Sequence, residues 1–287
     1  MPMTLRRGTP ADAAICGRIC FDAFTTISKQ HNFPPDFPNP EVCVGFMSMM
    51  LARPDVFSVI AERDGSIVGS NFLWENNGAI AGVGPITVDP NGGQNTGVGK
   101  SMMIAVIERA RQQKFPGVRL VQAAFHSRSL SLYAKLGFNI VEPLACMQGK
   151  PSGQRIAGRS VRPATTTDIE ACNTLCWSVH GHTRVGDLRD GITHGSAVVV
   201  EHDGRITGYT CGIGFFMHTV GETNVDMRAL IATAKGITGP GFLLPTRNTE
   251  LFRWCLSNGL RVVQPLTLMA LGLYQEPRGA FLPSILY

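Results

Sequence analysis

Long apolar runs are missing from this sequence of 287 residues, and no stretch approaches the roughly 18 consecutive apolar residues that a membrane span requires. The opening segment MPMTLRRG also lacks the apolar centre of a secretory signal. We therefore expect a soluble, cytoplasmic protein with no membrane partner. Charged residues make up only 16%, and the longest basic run is Arg6-Arg7, so a nucleic-acid partner is not expected. The mild net charge of +5 suits a small anionic ligand instead.

The pattern C-x-x-C is also absent, although the chain has 8 cysteines. The spacing of Cys16 and Cys20 recurs at Cys172 and Cys176, and residues four apart lie along one face of a helix. Free, buried cysteines are expected there, rather than a disulfide framework or a zinc site. Three histidines lie close together in the second half, at His180, His182 and His194. Because glycines flank them, we interpret this stretch as a loop and expect no metal.

What the sequence does contain is an internal repeat. The block Leu5–Cys20 aligns with Val161–Cys176 at five of sixteen identical positions, and Val59–Gly69 aligns with Val198–Gly208 at six of eleven. Each first block predicts a strand followed by a helix. Each second block predicts a hairpin with an Asp-Gly turn. With about 150 residues per domain as a guide, we expect two α/β domains, at 1–150 and 159–287, joined by a polar linker at 151–158.

A glycine-rich turn lies between a predicted strand, 82–88, and a predicted helix, 99–113. Its sequence from Val88 is VDPNGGQNTGVGKS. Clustered glycines before a helix are typical of a phosphate site, because backbone N–H groups converge on the anion. A Walker A loop would require glycine at Gln94, and a G-x-G-x-x-G dinucleotide motif would require a small residue at Met102. The third pattern is Q-x-x-G-x-G, from Gln94 to Gly99.

This third pattern resembles the motif of the GNAT acetyltransferase superfamily, in which such a loop binds the pyrophosphate of acetyl-CoA. Two further segments are similar to the family: Val88-Asp89-Pro90 before the loop, and the run LYAKLGF from Leu132 to Phe138 after it. The resemblance implies two tandem GNAT-like domains, each a central mixed, mostly antiparallel sheet flanked by helices. It also implies acetyl-CoA as co-substrate and no metal.

The resemblance further implies roles for individual residues. The main chain of three residues before the loop would line the cofactor, at Ile86, Thr87 and Val88. The loop itself and the start of the helix would bind the pyrophosphate, through Gln94, Asn95, Thr96, Gly97, Val98, Gly99 and Lys100. Where the family often has an asparagine beside the pantetheine arm, this chain has His126, which is alternatively a helix-capping or exposed residue.

Acetyl transfer from a thioester to an amine requires a neutral nucleophile, stabilisation of an oxyanion and a proton for the thiolate. The resemblance makes Tyr133 the candidate general acid, and the alternative is a Tyr packed in the core. Glu75 is a candidate general base, and its alternative is a solvated hairpin residue. The loop at 33–40 is rich in proline, and Phe33 and Phe37 are candidates for the wall of a substrate cleft.

The second half repeats the hairpin and a Gly-terminated helix at 249–260, but its stretch GETNVDMRALIATAKG has no clustered glycines. We interpret it as a degenerate GNAT-like copy that shapes the cleft or forms a homodimer. The function expected is an N-acetyltransferase that transfers the acetyl group of acetyl-CoA directly to a primary amine of a small molecule or peptide. The alternative is a non-catalytic acyl-CoA-binding or sensing module.

Overall fold

The computed structural model describes residues 3–76, 78–92 and 96–287. Its N-terminal half alternates strands and helices in the order strand, two helices, four strands, and then helix and strand twice. The strands are β1 (Thr4–Arg7), β2 (Val56–Arg63), β3 (Ser66–Trp74), β4 (Ile80–Val83), β5 (Thr87–Val88), β6 (Gly117–Ala123) and β7 (Asn139–Gln148). The helices are α1 (Ala13–Gln30), α2 (Pro40–Ala52), α3 (Val98–Gln112) and α4 (Ser127–Lys135).

The C-terminal half repeats this order, except that three strands follow its first two helices and an additional strand, β14, ends it. Its strands are β8 (Ser160–Pro163), β9 (Val198–His202), β10 (Arg205–Thr210), β11 (Thr219–Gly221), β12 (Phe242–Pro245), β13 (Arg261–Gly272) and β14 (Ala280–Leu282). Its helices are α5 (Ile169–His180), α6 (Val185–Thr193), α7 (Asn224–Ala232) and α8 (Thr249–Ser257). The α/β fold class expected from the sequence is confirmed, whereas α2, α6 and β14 had not been predicted.

The two halves exchange strands within one large sheet. Its order is β1-β2-β3-β4-β6-β13-β7-β12, with β5 beside β3. The last strand of the second half, β13, thus lies between two strands of the first, with Leu266 opposite both Ala123 of β6 and Leu144 of β7. In turn, β7 pairs with β12 of the second half. A smaller sheet has the order β14-β11-β10-β9-β8.

The sequence repeat corresponds to repeated local structure. In the first half, Arg6 donates to both carboxylate oxygens of Asp12 at 2.8 Å. In the second half, Arg162 donates to both oxygens of Asp168 at the same distance. The hairpin turns match as well, because Asp64-Gly65 and Asp203-Gly204 all have positive φ, as a tight turn requires.

The cores lie between each sheet and its helices. The faces of α1 and α5 that carry the repeated cysteines are turned inward, and all eight cysteines are buried free thiols, as expected. Helix α3 packs its apolar stripe on β2 and β3 through Met103, Val106 and Ile107. The predicted strand 82–88 is interrupted between Val83 and Thr87, where Pro85 cannot donate to a ladder. This interruption positions the site described next.

Candidate active site

The candidate site is a cleft between two strands that start as neighbours and then separate. β4 pairs with β6 in parallel only from Ile80 to Gly82. On its other edge β6 pairs with β13 along its whole length, and β5 pairs with β3. A cavity of about 360 Å³ occupies the gap, lined by 83–88 on one side and 120–123 on the other. The strands therefore separate at Gly84-Pro85, and segments of both strands line a ligand-sized space.

The N-terminus of α3 closes one end of this cavity. Gly97 is the N-cap residue, with φ of 85°, and it contributes no side-chain cap. Val98, Gly99 and Lys100 follow in the cavity lining, and the first amides of a helix have no acceptor within the helix. The helix end therefore offers several N–H donors and a partial positive charge to an anion. Thr96 is exposed beside it, whereas Gln94 and Asn95 lie outside the described residues.

The phenol of Tyr133 reaches the same cavity from α4. The side chain is 6% exposed and packs edge-on against Phe138 at a ring-centroid distance of 6.3 Å. Burial raises the pKa of this phenol well above its ordinary value. The hydroxyl therefore stays protonated at neutral pH and can act as a hydrogen-bond donor or a proton donor. The core role and the acid role predicted for Tyr133 are compatible in this position.

His126 lies where β6 leads into α4, and it also lines the cavity. Its side chain does not cap the helix, and its Nε2 is buried without a partner among the described residues. Burial, together with nearby Arg128 and His31, lowers the pKa of this imidazole to about 4. A neutral imidazole with a free nitrogen can hydrogen-bond to a bound ligand.

Glu75 is not brought to the cavity. Both of its carboxylate oxygens accept from Arg109 of α3, at 2.7 and 2.9 Å. This two-pronged ion pair occupies both oxygens of the carboxylate and holds the side chain against α3. The ion pair joins α3 to the residue that follows β3, and the guanidinium of Arg109 also lies over the ring of Phe57.

Sequence reasoning missed a second group of cavity residues. Asp36 and Gln122 line the cavity from the first half, and Gln264, Phe216 and Leu286 line it from the second. The repeat does contain one usable signal: Val141-Glu142-Pro143-Leu144 matches Val263-Gln264-Pro265-Leu266, which predicts a second strand of the β7 type. Nothing local indicates that this strand enters the sheet of the other half.

Cations gather on the helix side of the cavity. Lys100 and Arg128 line the cavity, and both also border a groove between α3 and α4 that is lined by Lys135 as well.

Among the described residues, no group of three or more His, Cys, Asp or Glu side chains is arranged to hold a metal ion. His180 ends α5 and His194 follows α6, with His182 in the turn between these helices. Within the described ranges, no helix combines the length and apolarity needed to cross a membrane.

Comparison with known families gives the class of this site. Residues 24–138 match the family model described as the acetyltransferase (GNAT) family. The matched segment runs from α1 to the end of α4, and so it includes the diverging strands, the α3 N-terminus and Tyr133. Within this segment the chain therefore matches a GNAT acetyltransferase domain, in agreement with the resemblance seen in the sequence.

Solved structures show the fold of the whole chain. A candidate acetyltransferase from Pyrococcus horikoshii has a TM-score of 0.74 at 18% identity, over 99% of this chain and 92% of that one. A GCN5-related N-acetyltransferase from Sphaerobacter thermophilus has a TM-score of 0.61 at 16% identity, over 96% of each chain. A tandem GNAT protein from the clavulanic acid biosynthesis pathway has a TM-score of 0.56 at 13% identity, over 94% and 98%. The search of curated proteins finds no match.

Proposed function

We propose that the N-terminal half binds acetyl-CoA and transfers its acetyl group directly to a primary amine. The observation that carries the proposal is the cleft between β4 and β6, which joins the open N-terminus of α3 to the phenol of Tyr133. Acetyl-CoA is an extended ligand, so its pyrophosphate would lie at the helix end while its thioester lies near the phenol. The separated strands provide main-chain groups along the space between them.

The binding side of this proposal rests on charge and free donors. The amides at 98–100, with the cations Lys100 and Arg128, match a pyrophosphate with its negative charges. Gln122 and His126 also line the cavity, and the Nε2 atom of each has no hydrogen-bond partner among the described residues. They match the amide groups of a pantetheine arm, because each amide carries both a donor and an acceptor. Gln94 and Asn95 complete the proposed pyrophosphate loop.

The chemical side rests on the main chain before the loop and on Tyr133. A backbone N–H from 86–88 would stabilise the oxyanion that forms when the amine attacks the acetyl carbonyl. The C–S bond then breaks with its electron pair on sulfur, and Tyr133 supplies the proton that makes the free thiol. Because burial keeps the phenol protonated, Tyr133 is in the form that this step requires.

The C-terminal half is proposed to bind no CoA of its own. Its helix α7 corresponds to α3, but the N-cap there is Thr223, whose amide donates to the carboxylate of Asp226 at 3.0 Å. The same carboxylate accepts from Thr207 and Arg159, each at 2.6 Å. An internal anion thus occupies the place that a pyrophosphate would take at this helix end.

Two measurements test this function. Titration calorimetry with CoA should give one molecule per chain, and two equivalent molecules would contradict the assignment of the second half. A thiol-release assay with acetyl-CoA and a panel of primary amines should show amine-dependent turnover. CoA binding without release of thiol from any amine would favour the non-catalytic binding module instead.

A further inference from the structure

The cavity continues beyond Tyr133 into a region built by both halves of the chain. Four phenylalanines form its wall, here named the aromatic wall: Phe24, Phe37, Phe46 and Phe216. Their rings contact in series, with centroids 5.6 Å apart for Phe24 and Phe37, and 5.0 Å apart for Phe46 and Phe216. Leu286 extends the same surface from the second half. A ligand that enters here meets apolar groups on most sides.

One carboxylate lies within this apolar region. Asp36 lines the cavity next to Phe37, and its Oδ1 accepts from Nε2 of Gln264 at 2.9 Å. No cation among the described residues forms an ion pair with Asp36. The aromatic wall, Leu286 and Gln264, which line the same cavity, carry no charge. Burial raises the pKa of this carboxyl, and the bond from Gln264 opposes the rise. A half-buried carboxylate without a counter-ion among the described residues is stabilised by a ligand that supplies a positive charge.

Gln264 adds a second acceptor at the same place. The side chain is 2% exposed, and because its amide nitrogen donates to Asp36, its Oε1 is the remaining free group. That oxygen is buried and has no partner among the described residues. Two acceptors, one of them charged, therefore lie side by side within an aromatic wall. A protonated amine is the ligand group that donates to both of them.

On the basis of the proposed acetyl transfer, we propose that the acceptor is an amine with one positive charge and an aryl or branched-alkyl substituent. Asp36 and Gln264 hold its nitrogen, and the aromatic wall holds its substituent. A polyamine or aminoglycoside is disfavoured, because Asp36 is the one carboxylate in the described lining of this cavity, and a second ammonium group would be buried unpaired.

Asp36 also provides the base that Glu75 does not. The ammonium group gives one N–H proton to the Asp36 carboxylate, and the freed lone pair forms the C–N bond with the acetyl carbon. When the C–S bond breaks, sulfur keeps the electron pair and takes the proton of Tyr133. The second nitrogen proton restores Tyr133, and Asp36 releases its proton to solvent. The products are an amide, a free thiol and one proton.

The substrate class is tested with 2-phenylethylamine, ethanolamine and spermidine as acceptors, each with acetyl-CoA. Burial of the aryl group predicts that kcat/KM for 2-phenylethylamine exceeds that for ethanolamine by about 10-fold to 100-fold. Spermidine should be no better than ethanolamine. Phe216→Ala should raise KM for 2-phenylethylamine by about 10-fold and leave ethanolamine nearly unchanged. Equal rates for all three amines would overturn the assignment of the apolar acceptor.

Asp36 is tested by Asp36→Asn, which keeps the shape of the side chain and one acceptor. We expect kcat/KM for 2-phenylethylamine to fall by about 100-fold or more, with loss of the acidic limb of the pH–rate profile. CoA affinity should stay the same, which also shows that the variant is folded. The matched control is Asp22→Asn on α1, an exposed carboxylate outside the cavity.

Binding separates this inference from the function on which it rests. Calorimetry of 2-phenylethylamine with the CoA-loaded protein should show an affinity that weakens at least 10-fold in Asp36→Asn. Such binding without turnover would contradict acetyl transfer and leave the amine site in place. Turnover that Asp36→Asn and Asp22→Asn affect equally would contradict the amine site and leave acetyl transfer in place.

Discussion

The two halves of this chain have similar folds but differ at three positions where the first half lines the cavity. The α3 end begins at an uncapped Gly97, whereas the α7 end is closed by Thr223 and Asp226. The Nε2 atom of His126 has no partner among the described residues, whereas its counterpart Asn248 caps α8 by accepting from the amide of Leu251. The comparison teaches that the first half leaves donors open for a ligand and the second satisfies its own.

The position of Tyr133 gives the same contrast. The repeat aligns it with Cys255 of α8, a fully buried thiol. Burial raises the pKa of this thiol to about 12, so it stays neutral and packs as a small apolar group. The second half thus keeps the ion pairs and hairpins that build the fold and lacks the groups proposed for chemistry. Four changes test how far this difference between the halves extends.

The largest effect is expected from Tyr133→Phe, which removes only the hydroxyl. If the phenol protonates the thiolate, kcat should fall by about 10²-fold to 10⁴-fold while CoA affinity barely changes. Tyr274→Phe is the matched control, because Tyr274 is partly buried and lies outside the cavity lining. A rate within about three-fold of wild type, with chemistry shown to be rate-limiting, would assign Tyr133 to the core alone.

Gly97→Val should weaken CoA binding by about 10-fold to 100-fold, because the new side chain occupies the approach to the helix amides. The space around Gly97 is open, and its φ is 85°, so the substitution also strains the backbone. Gly204→Val controls for that strain, since Gly204 has φ of 75° and equally open space in the β9–β10 turn. Calorimetry with CoA measures both variants, and equal affinities would remove the loop assignment.

Acid should destabilise the C-terminal half first, because it buries His180, His182 and His218. Burial lowers the pKa of His182 to about 4, and the pKa values of the other two also fall. Below about pH 6.5 these histidines bind protons in the unfolded chain but stay neutral in the folded chain. The free energy of unfolding therefore decreases as the pH falls toward 4. For His182 alone the loss is about 2 kcal/mol at pH 5.

Urea unfolding at pH 7.5 and pH 5 measures this loss. His182→Gln should lose less stability between the two pH values than wild type does, whatever its stability at pH 7.5. The exposed His194, changed to Gln, controls for the substitution. Equal losses in all three proteins would show that the buried histidines do not set the acid response.

The smallest difference between the halves is expected at the repeated ion pairs. Asp12→Asn and Asp168→Asn should each lower the free energy of unfolding by about 1–2 kcal/mol, because each removes charge-assisted bonds. The side chains of both aspartates are 9% exposed, and both accept from the amide of a threonine at 2.8 Å. The two losses should agree within about 0.5 kcal/mol in chemical unfolding, and a larger gap would show that the halves differ beyond the cavity.

The sequence by itself determined the repeated units and the glycine-rich turn before α3. Asp-Gly turns, the Arg–Asp spacing and the Gly97–Gly99 pattern act over a few residues, so they could be read in order along the chain. The strand 82–88 was predicted as continuous, and only the structure shows that it breaks at Gly84 to Ile86. The roles of Tyr133 and His126 came from the family resemblance, and the structure places both residues at one cavity.

Only the tertiary structure decided which residues line the cavity around Asp36 and Gln264. Gln264 reaches Asp36 across 228 positions of sequence, because β13 of the second half inserts beside β6 of the first. Strand pairing depends on backbone hydrogen bonds that are nearly the same for any sequence, so local patterns can predict a strand but not its neighbours. Glu75 illustrates the same limit: its position at the end of β3 was evident, whereas its partner Arg109 came from the packing of α3 against the sheet. Burial and long-range pairing, which no short segment encodes, therefore selected the residues that line this part of the cavity.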